Sequence, residues 1–365
     1  MRYMMRQLIR VLSCIFAFLP VLPLRADEQR FVFEGIEMAV PIRIVIYAEN
    51  EQFARYAADE ALETFHDLNI RLSDYDENSE VRRLCDYAFP ETYVRVSDDL
   101  WRVLQESVRY ARLSDGAFDP TVGQTVRLWR HARKSKRLPP RDRLEKTLKT
   151  IGYENILFDP ENQAVALSRN GAQNNVRIDL GGVAKGYAID AAMNRLRQLG
   201  LTRFLVDAGG DVGLGDPPPG RDGWTIAIQT GRDDAQAEEF LLLSNCGIAH
   251  SGDAFQFVEI DGRRYSHIVD PATGLGLTNR AAVSIVAPTA CMADALASAL
   301  CVLPLEKGIQ LAESLDGVDA RIIQVCDESK ENIETRETSN FSRRQISLEA
   351  LKEMRLNEIQ EQNSH

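Results

Sequence analysis

The sequence predicts an α+β protein with largely antiparallel sheets packed against helices. Two observations carry that class. Strand-like and helix-like runs interleave without the regular βαβ alternation that a doubly wound parallel sheet requires. The chain has 365 residues, 44% of them hydrophobic, enough to bury one large core or two intimately joined ones.

The N-terminus reads as processing sequence, not fold. "MRYMMRQLIR" holds three arginines and no acid, an apolar run follows between Arg10 and Arg25, and Ala26 precedes Asp27 where a signal peptidase could cut. Pro20 and Pro23 interrupt the run, which is shorter than the roughly 20 apolar residues of a spanning helix. Residues 1–26 are therefore expected to be a signal peptide and the protein to be exported, periplasmic if its source is a Gram-negative bacterium. An uncleaved signal would leave it membrane-associated.

From Phe31, "FVFEGIEMAVPIRIVIYA" alternates apolar and polar residues and predicts two short strands broken at Pro41. The helical spacing of Phe53, Tyr56, Ala57, Leu62, Phe65 and Leu68 predicts a helix ending near "SDYDENSE". "SDDLWRVLQESVRYARLSDG" predicts a second, with Ser97 and Asp98 as cap candidates and Gly116 as its stop. The basic stretch His131 to Lys146 contains Pro139 and Pro140 and reads as a connection, either a solvated loop or a positive rim near an anionic ligand.

"IGYENILFD" and "AVALSRNGAQNNVRIDLGG" read as strands leading into Gly181, and "VAKGYAIDAAMNRLRQLG" as a helix closed by Gly200. Strand character returns in "RFLVDAGGDVGLGD", "WTIAIQT", "FVEIDGRRYSHIV" and "AAVSIVAP" before the Ala-rich, buried helix "TACMADALASALCVLP". Past Asp327 the chain turns polar. An edge strand is expected up to Phe341, so the folded domain spans 27–341 and residues 342–365 form a polar tail, disordered or a frayed helix.

Net charge −11 and a pI near 5.1 exclude a polyanion-binding protein, so no nucleic-acid partner is expected. After cleavage the cysteines Cys85, Cys246, Cys291, Cys301 and Cys326 remain, with no CxxC pair, and read as buried thiols. A disulfide stays open in an oxidising compartment.

Five clusters could carry chemistry. In "RIDLGGVAKGYAID" a strand delivers Asp179 into two glycines and a helix start, with Lys185 adding positive charge. This is either a tight strand-to-helix turn or a close approach to phosphate. In "ADALASA", Asp294 and Ser298 stand at i,i+4 and share one helix face. They would suit a hard cation such as Mg²⁺, which keeps positions for phosphate and water, or Asp294 merely satisfies backbone near a helix start. "SDGAFDPTVG" displays Asp119 on a turn, and "VDAGGD" lets backbone approach something bulky through Gly209 and Gly210. "SHIVDPATG" sets His267 at a strand end beside Ser266 and Asp270, where a near-neutral imidazole can take a proton from a hydroxyl, or serve structure only.

"SDGAFDPTVG", "IDLGGVAKGYAID", "VDAGGD", "SGDAFQF", "YSHIVDPATG" and "VAPTACMADALASAL" occur in the order and rough separation found in the FAD:protein FMN transferases, the ApbE-type flavin transferases. The resemblance spans about Phe31 to Val325 and implies an ApbE-like fold. It implies an Mg²⁺-dependent enzyme with FAD as substrate, joining FMN by a phosphoester to a threonine or serine of a partner protein and releasing AMP. The partner would carry a D-x-x-[ST]-G-A-[ST] type acceptor, as in flavin subunits of membrane redox complexes. This chain has no such segment of its own.

By the same resemblance Met38, Tyr75, Ala117, Phe118, Asp119, Asp179, Lys185 and Val269 match FAD-contacting positions. Gly182, through its backbone oxygen, Asp294 and Ser298 match the metal site, and His267 matches the residue that activates the acceptor hydroxyl. Three departures stand out. Ser298 replaces the usual threonine, His250 stands where threonine is common, and Ala254 replaces a frequent aromatic. A periplasmic FAD carrier, or a pyrophosphatase giving FMN and AMP, would share much of this pattern.

Overall fold

The structure, a computed structural model, describes residues 28–168, 175–228, 239–252, 257–325 and 333–347, with 349, 350 and 352. It opens with β1 (Gln29–Glu37) and β2 (Val40–Ala48), joined at Met38 and Ala39, whose φ angles are 52° and 60°. Two successive positive φ values match the turn to the twist of the strands it joins. The break thus falls at Met38–Ala39, not at Pro41. Pro41 lies near the start of β2, opposite Ile36, where a proline is tolerated.

Then follow α1 (Glu51–Leu72), α2 (Glu80–Tyr87), β3 (Val94–Arg95), α3 (Asp98–Leu113), α4 (Gly123–Ser135) and α5 (Arg141–Leu148). The caps are side chains the sequence supplies. Asn50 accepts from the Phe53 amide at 2.9 Å, and Ser79 and Ser97 do the same for α2 and α3. The basic stretch is not one connection. It is the last turns of α4 and most of α5, with only residues 136–140 between them.

The chain continues through β4 (Ile156–Asp159), β5 (Ala164–Leu167), α6 (Ala184–Gln198), β6 (Phe204–Ala208), β7 (Asp211–Leu214) and β8 (Trp224–Ile228). After β9 (Glu239–Leu243), β10 (Gly247–Gly252), β11 (Phe257–Ile260), β12 (Arg263–Ser266) and β13 (Arg280–Ala287) come α7 (Ala290–Val302) and α8 (Leu305–Glu313). The last elements are β14 (Asp319–Val325), β15 (Ile333–Glu337) and β16 (Gln345–Ile346).

The main sheet has eight strands in the order β1-β2-β6-β7-β10-β13-β14-β15, and each neighbouring pair runs antiparallel. Side chains alternate faces along a strand, which gives the sheet two cores. Ile42, Ile44, Ile46, Val283 and Ile285 pack with the helices, α7 among them. Val45, Ile248 and Val286 point the other way, onto Trp224, Leu241 and Leu243 of the small sheet β16-β9-β8. Leu296, fully buried on α7, anchors the first core, and truncation to Ala there should cost about 2–5 kcal/mol.

β15 is an edge strand, as the sequence predicts. Ordered pairing also reaches past Phe341, into the stretch expected to fray. Phe341 is fully buried, Arg344 Nε donates to Asp319 Oδ2 at 2.6 Å, and β16 pairs with β9. Cys85, Cys246, Cys291 and Cys301 are free and buried, while Cys326, Ala254 and the expected signal peptide lie outside the described residues. Among the described residues no helix is long and apolar enough to cross a membrane.

A third cluster joins Trp129 and Ala132 of α4 to Val258, Ile260, Tyr265 and Val269. It fixes the β11–β12 hairpin and the loop after it against α4.

Candidate active site

Three loops meet where the strand-like segment 176–180 enters α6. The Asp179 amide donates to the Pro120 carbonyl at 2.7 Å and the Gly123 amide to the Arg177 carbonyl at 3.0 Å, so the Phe118 loop runs alongside this segment. Asp119 is consumed in building that loop. Its Oδ1 accepts from the Thr121 amide and hydroxyl at 2.8 and 2.6 Å, and its Oδ2 from the Tyr153 amide at 3.0 Å. Burial raises its carboxyl above the ordinary value, and the Thr121 and Tyr153 bonds pull the other way.

Asp179 forms a second wall. Its Oδ1 accepts from the Gly181 amide at 2.8 Å, and its Oδ2 lies 3.3 Å from Arg130, which also reaches Asp74 at 2.5 Å. The Arg130 guanidinium lies 3.9 Å from the centre of the Tyr75 ring, leaving Tyr75 75% exposed with one face held from below. Burial, with the like charge of Asp74, pushes Asp179 up to about 6 against the pull of Arg130.

At the turn itself, Gly182 is pressed against α7. A Cβ there would come within 2.9 Å of Ser298 Oγ and 3.3 Å of Phe118 Cε2. Only glycine lets the backbone lie so close to the hydroxyl. One turn on, the Gly186 amide donates to Asp294 Oδ2 at 3.1 Å, and a Cβ on Gly186 would collide with the Ala290 carbonyl, so α6 and α7 cross in direct backbone contact. Asp190 secures the crossing by accepting from the Ala290 and Cys291 amides, both at 2.9 Å.

Lys185 pairs with Asp211, and its Nζ lies 4.0 Å from Asp294 Oδ1. Burial works to lower the Lys185 ammonium, but Asp294 and Asp211 together outweigh it and hold it above the ordinary lysine value. Burial pushes Asp294 up to about 6, with Lys185 opposing and Asp211 adding. Asp211, 2% exposed, also accepts from the His250 amide at 3.1 Å, and His250 Nδ1 lies 2.9 Å from Ser284 Oγ. Burial lowers the His250 imidazole, so it is neutral at pH 7.

His267 is half-buried in the loop after β12. The loop is tightly tied. Ser266 Oγ accepts from the Ile268 amide at 3.1 Å, the Ser266 and Leu277 amides bond Leu277 and Ile268 carbonyls, and Val269 bridges Gly276. Asp270 spends its two carboxylate oxygens on the Ala272 amide and the Thr273 hydroxyl, at 2.9 and 2.8 Å. Trp129 Nε1 donates to the Gly274 carbonyl at 2.8 Å, fixing the loop to α4.

The structure therefore brings Phe118, Gly182, Lys185, Asp294 and Ser298 together, and places Asp179 with Tyr75 around Arg130. Ala117 lies in the Phe118 loop, Met38 at the β1–β2 turn, and Val269 and His267 in the β12 loop. Asp211, Asp74 and Arg130 were not foreseen as site residues. An acid directly after Gly209-Gly210 was the available signal for Asp211, whereas nothing local marks Asp74 or Arg130.

Among the described residues no group of three or more His, Cys, Asp or Glu side chains is arranged to hold a metal. The donor set at hand is different: one carboxylate, one hydroxyl and one backbone carbonyl. All are hard oxygens, and Gly182, having no Cβ, lets its turn lie against the Ser298 hydroxyl. That set fits Mg²⁺, which needs few protein ligands when phosphate and water complete its shell.

Comparison with known proteins identifies the family. Residues 38–322 match the ApbE family. A Haemophilus influenzae protein named FAD:protein FMN transferase is 32% identical over 253 residues, 68% of this chain and 72% of that protein. The crystal structure of the ApbE protein from Thermotoga maritima superposes with a TM-score of 0.75 at 31% identity, covering 87% of this chain and 100% of that one. The flavin transferase ApbE from Vibrio cholerae does so with a TM-score of 0.76 at 26% identity, covering 86% and 99%. With 285 consecutive residues matched and the whole fold shared, this chain belongs to the ApbE family.

Proposed function

We propose that this chain is an Mg²⁺-dependent FAD:protein FMN transferase that joins FMN to a threonine or serine hydroxyl of a partner protein. The observation that carries it is the meeting of Gly182, Ser298, Asp294 and Lys185 at one strand-to-helix turn, in a chain whose relatives bear that name. Mg²⁺ bound there would neutralise charge on the pyrophosphate as it is cleaved.

The protein's own part is positioning. Tyr75, backed by Arg130, offers a flat face for a ring, and Phe118 lies against the Gly182 turn. Lys185 places a fixed positive charge beside the phosphates. His267 takes the acceptor's proton as its oxygen bonds to the FMN phosphorus. The bond from that phosphorus to the bridging oxygen breaks, and AMP leaves with that oxygen.

The acceptor we infer is a D-x-x-[ST]-G-A-[ST] segment on a subunit of a membrane redox complex, met outside the cytoplasm after export. Chromatography of FAD turnover with and without an acceptor peptide tests the reaction class. AMP release that depends on the peptide, without free FMN, supports transfer. Equal amounts of free FMN and AMP would mark a pyrophosphatase, and bound, intact FAD would mark a carrier.

A further inference from the structure

We propose that the helix pair α4–α5 is the docking surface for an acidic segment of the acceptor protein. The proposal rests on the transferase reading and adds the partner's recognition to it.

Charge is the first observation. Between Arg127 and Lys149 the sequence holds ten Lys or Arg and two acids, in a chain whose net charge is −11. The cations are turned outward, with Arg127, Lys134, Arg137, Arg143, Lys146 and Lys149 all exposed. Arg141 pairs with Glu145 at 2.9 Å, but among the described residues none of those six has a carboxylate within ion-pair distance. A surface that stays cationic on an acidic protein concentrates acidic partners and turns away basic ones.

A surplus of positive charge at the start of α4 is the second. Arg177 lies beside that end through the Gly123–Arg177 bond, and the Ile178 amide contacts Cys85, one turn from Arg82. Asp86 serves Arg177 at 2.6 Å, while Asp74 and Asp179 serve Arg130. Among the described residues Arg82 Nε, Arg130 Nε and both Nε and Nη1 of Arg177 are buried with no hydrogen-bond partner. Burial and the neighbouring Arg82, Arg177 and Arg130 hold the Arg127 guanidinium below its ordinary value. Carboxylates from a partner would relieve that crowding.

Position is the third. α4 carries Trp129, which holds the Gly274 carbonyl of the His267 loop, and Arg130, which holds Asp179. From α5, Leu144 and Leu148 stand against Gly274. A segment lying on this pair is thereby delivered to the loops on either side of the reaction. A lipid surface is the poorer match. Leu138 is the one large apolar side chain exposed on the pair among the described residues, whereas a membrane-lying helix needs an apolar face.

The test uses the protein from Asp27 onward and two fluorescein-labelled peptides bearing a D-x-x-T-G-A-T segment, one flanked by a run of glutamates and the other by glutamines. Anisotropy should show the glutamate peptide binding about tenfold more tightly at low salt, with the advantage gone by roughly 0.5 M salt. A Lys134→Glu, Arg137→Glu, Lys146→Glu variant, with a thermal midpoint matching the parent, should lose the advantage. An Arg95→Glu, Arg102→Glu, Lys307→Glu variant, equal in net charge, should keep it.

Equal affinity for the two peptides, or equal loss in both variants, overturns the proposal. So does binding to phosphatidylglycerol vesicles that the first variant abolishes, without any peptide preference. Mass analysis of the same mixtures separates the two readings. FMN transfer to both peptides alike sinks the docking surface and leaves the transferase, whereas a glutamate preference without transfer to either peptide sinks the transferase.

Discussion

The ammonium of Lys185 stops 4.0 Å from Asp294 Oδ1 because Asp211 holds it. Asp294 keeps one oxygen on the Gly186 amide and the other outside hydrogen-bond reach of the lysine. Among the described residues that oxygen of Asp294 accepts no hydrogen bond, which leaves it available to the proposed Mg²⁺.

Asp211→Asn should therefore act twice. Removing one partner of a buried ion pair costs about 3 kcal/mol, and the freed ammonium should swing to Asp294. The expected result is a lower unfolding midpoint in urea and an Mg²⁺ requirement raised about tenfold, read by titrating activity with Mg²⁺.

Gly182→Ala separates site from stability. The new Cβ would sit 2.9 Å from Ser298 Oγ and force the turn away from the hydroxyl. Transfer should fall on the order of 100-fold while the circular dichroism spectrum keeps its shape. Ser298→Thr, which restores the residue common in the family, should retain activity.

Asp190 makes a pH prediction. Burial pushes its carboxyl up to about 6 from an ordinary value near 4, with the Cys291 and Ala290 amides opposing. The folded state then holds this proton more tightly than the unfolded chain, so stability contributed here is full below about pH 4 and falls as pH rises through 6. Thermal midpoints measured across that window should change less steeply in Asp190→Asn than in the parent.

Trp129→Phe removes the donor to the Gly274 carbonyl while keeping an aromatic ring in the third cluster. A stability loss of about 1 kcal/mol is expected. The larger effect should fall on transfer, as a lower kcat at little change in FAD affinity, because the His267 loop loses its tie to α4.

The fold was legible in the sequence wherever a local pattern dictates an element. Alternation gave β1 and β2, and Ser97 marked a helix start. Pro41 misled because proline was read as a strand break, while the turn is made by Met38 and Ala39 with no glycine to announce it. The basic run misled as well. Its prolines do interrupt helix, but only over a few residues between α4 and α5.

That Asp294, Ser298, Gly182 and Lys185 lie close together was legible because glycine pairs and i,i+4 spacing are short-range signals. Asp74, Arg130 and Asp211 were hidden because they act through contacts made only on folding. Asp74 and Asp179 meet at Arg130 from three segments, and Asp211 reaches Lys185 across the sheet-to-helix packing.

The most direct measurement is the intact mass of a D-x-x-T-G-A-T peptide after incubation with FAD, Mg²⁺ and the protein from Asp27 onward. The account predicts a gain of one FMN unit on the threonine, lost in Asp294→Ala and in His267→Ala, with AMP formed in equal amount. A peptide that stays unmodified while FAD is consumed or bound, or full transfer by the Asp294→Ala variant, would contradict it.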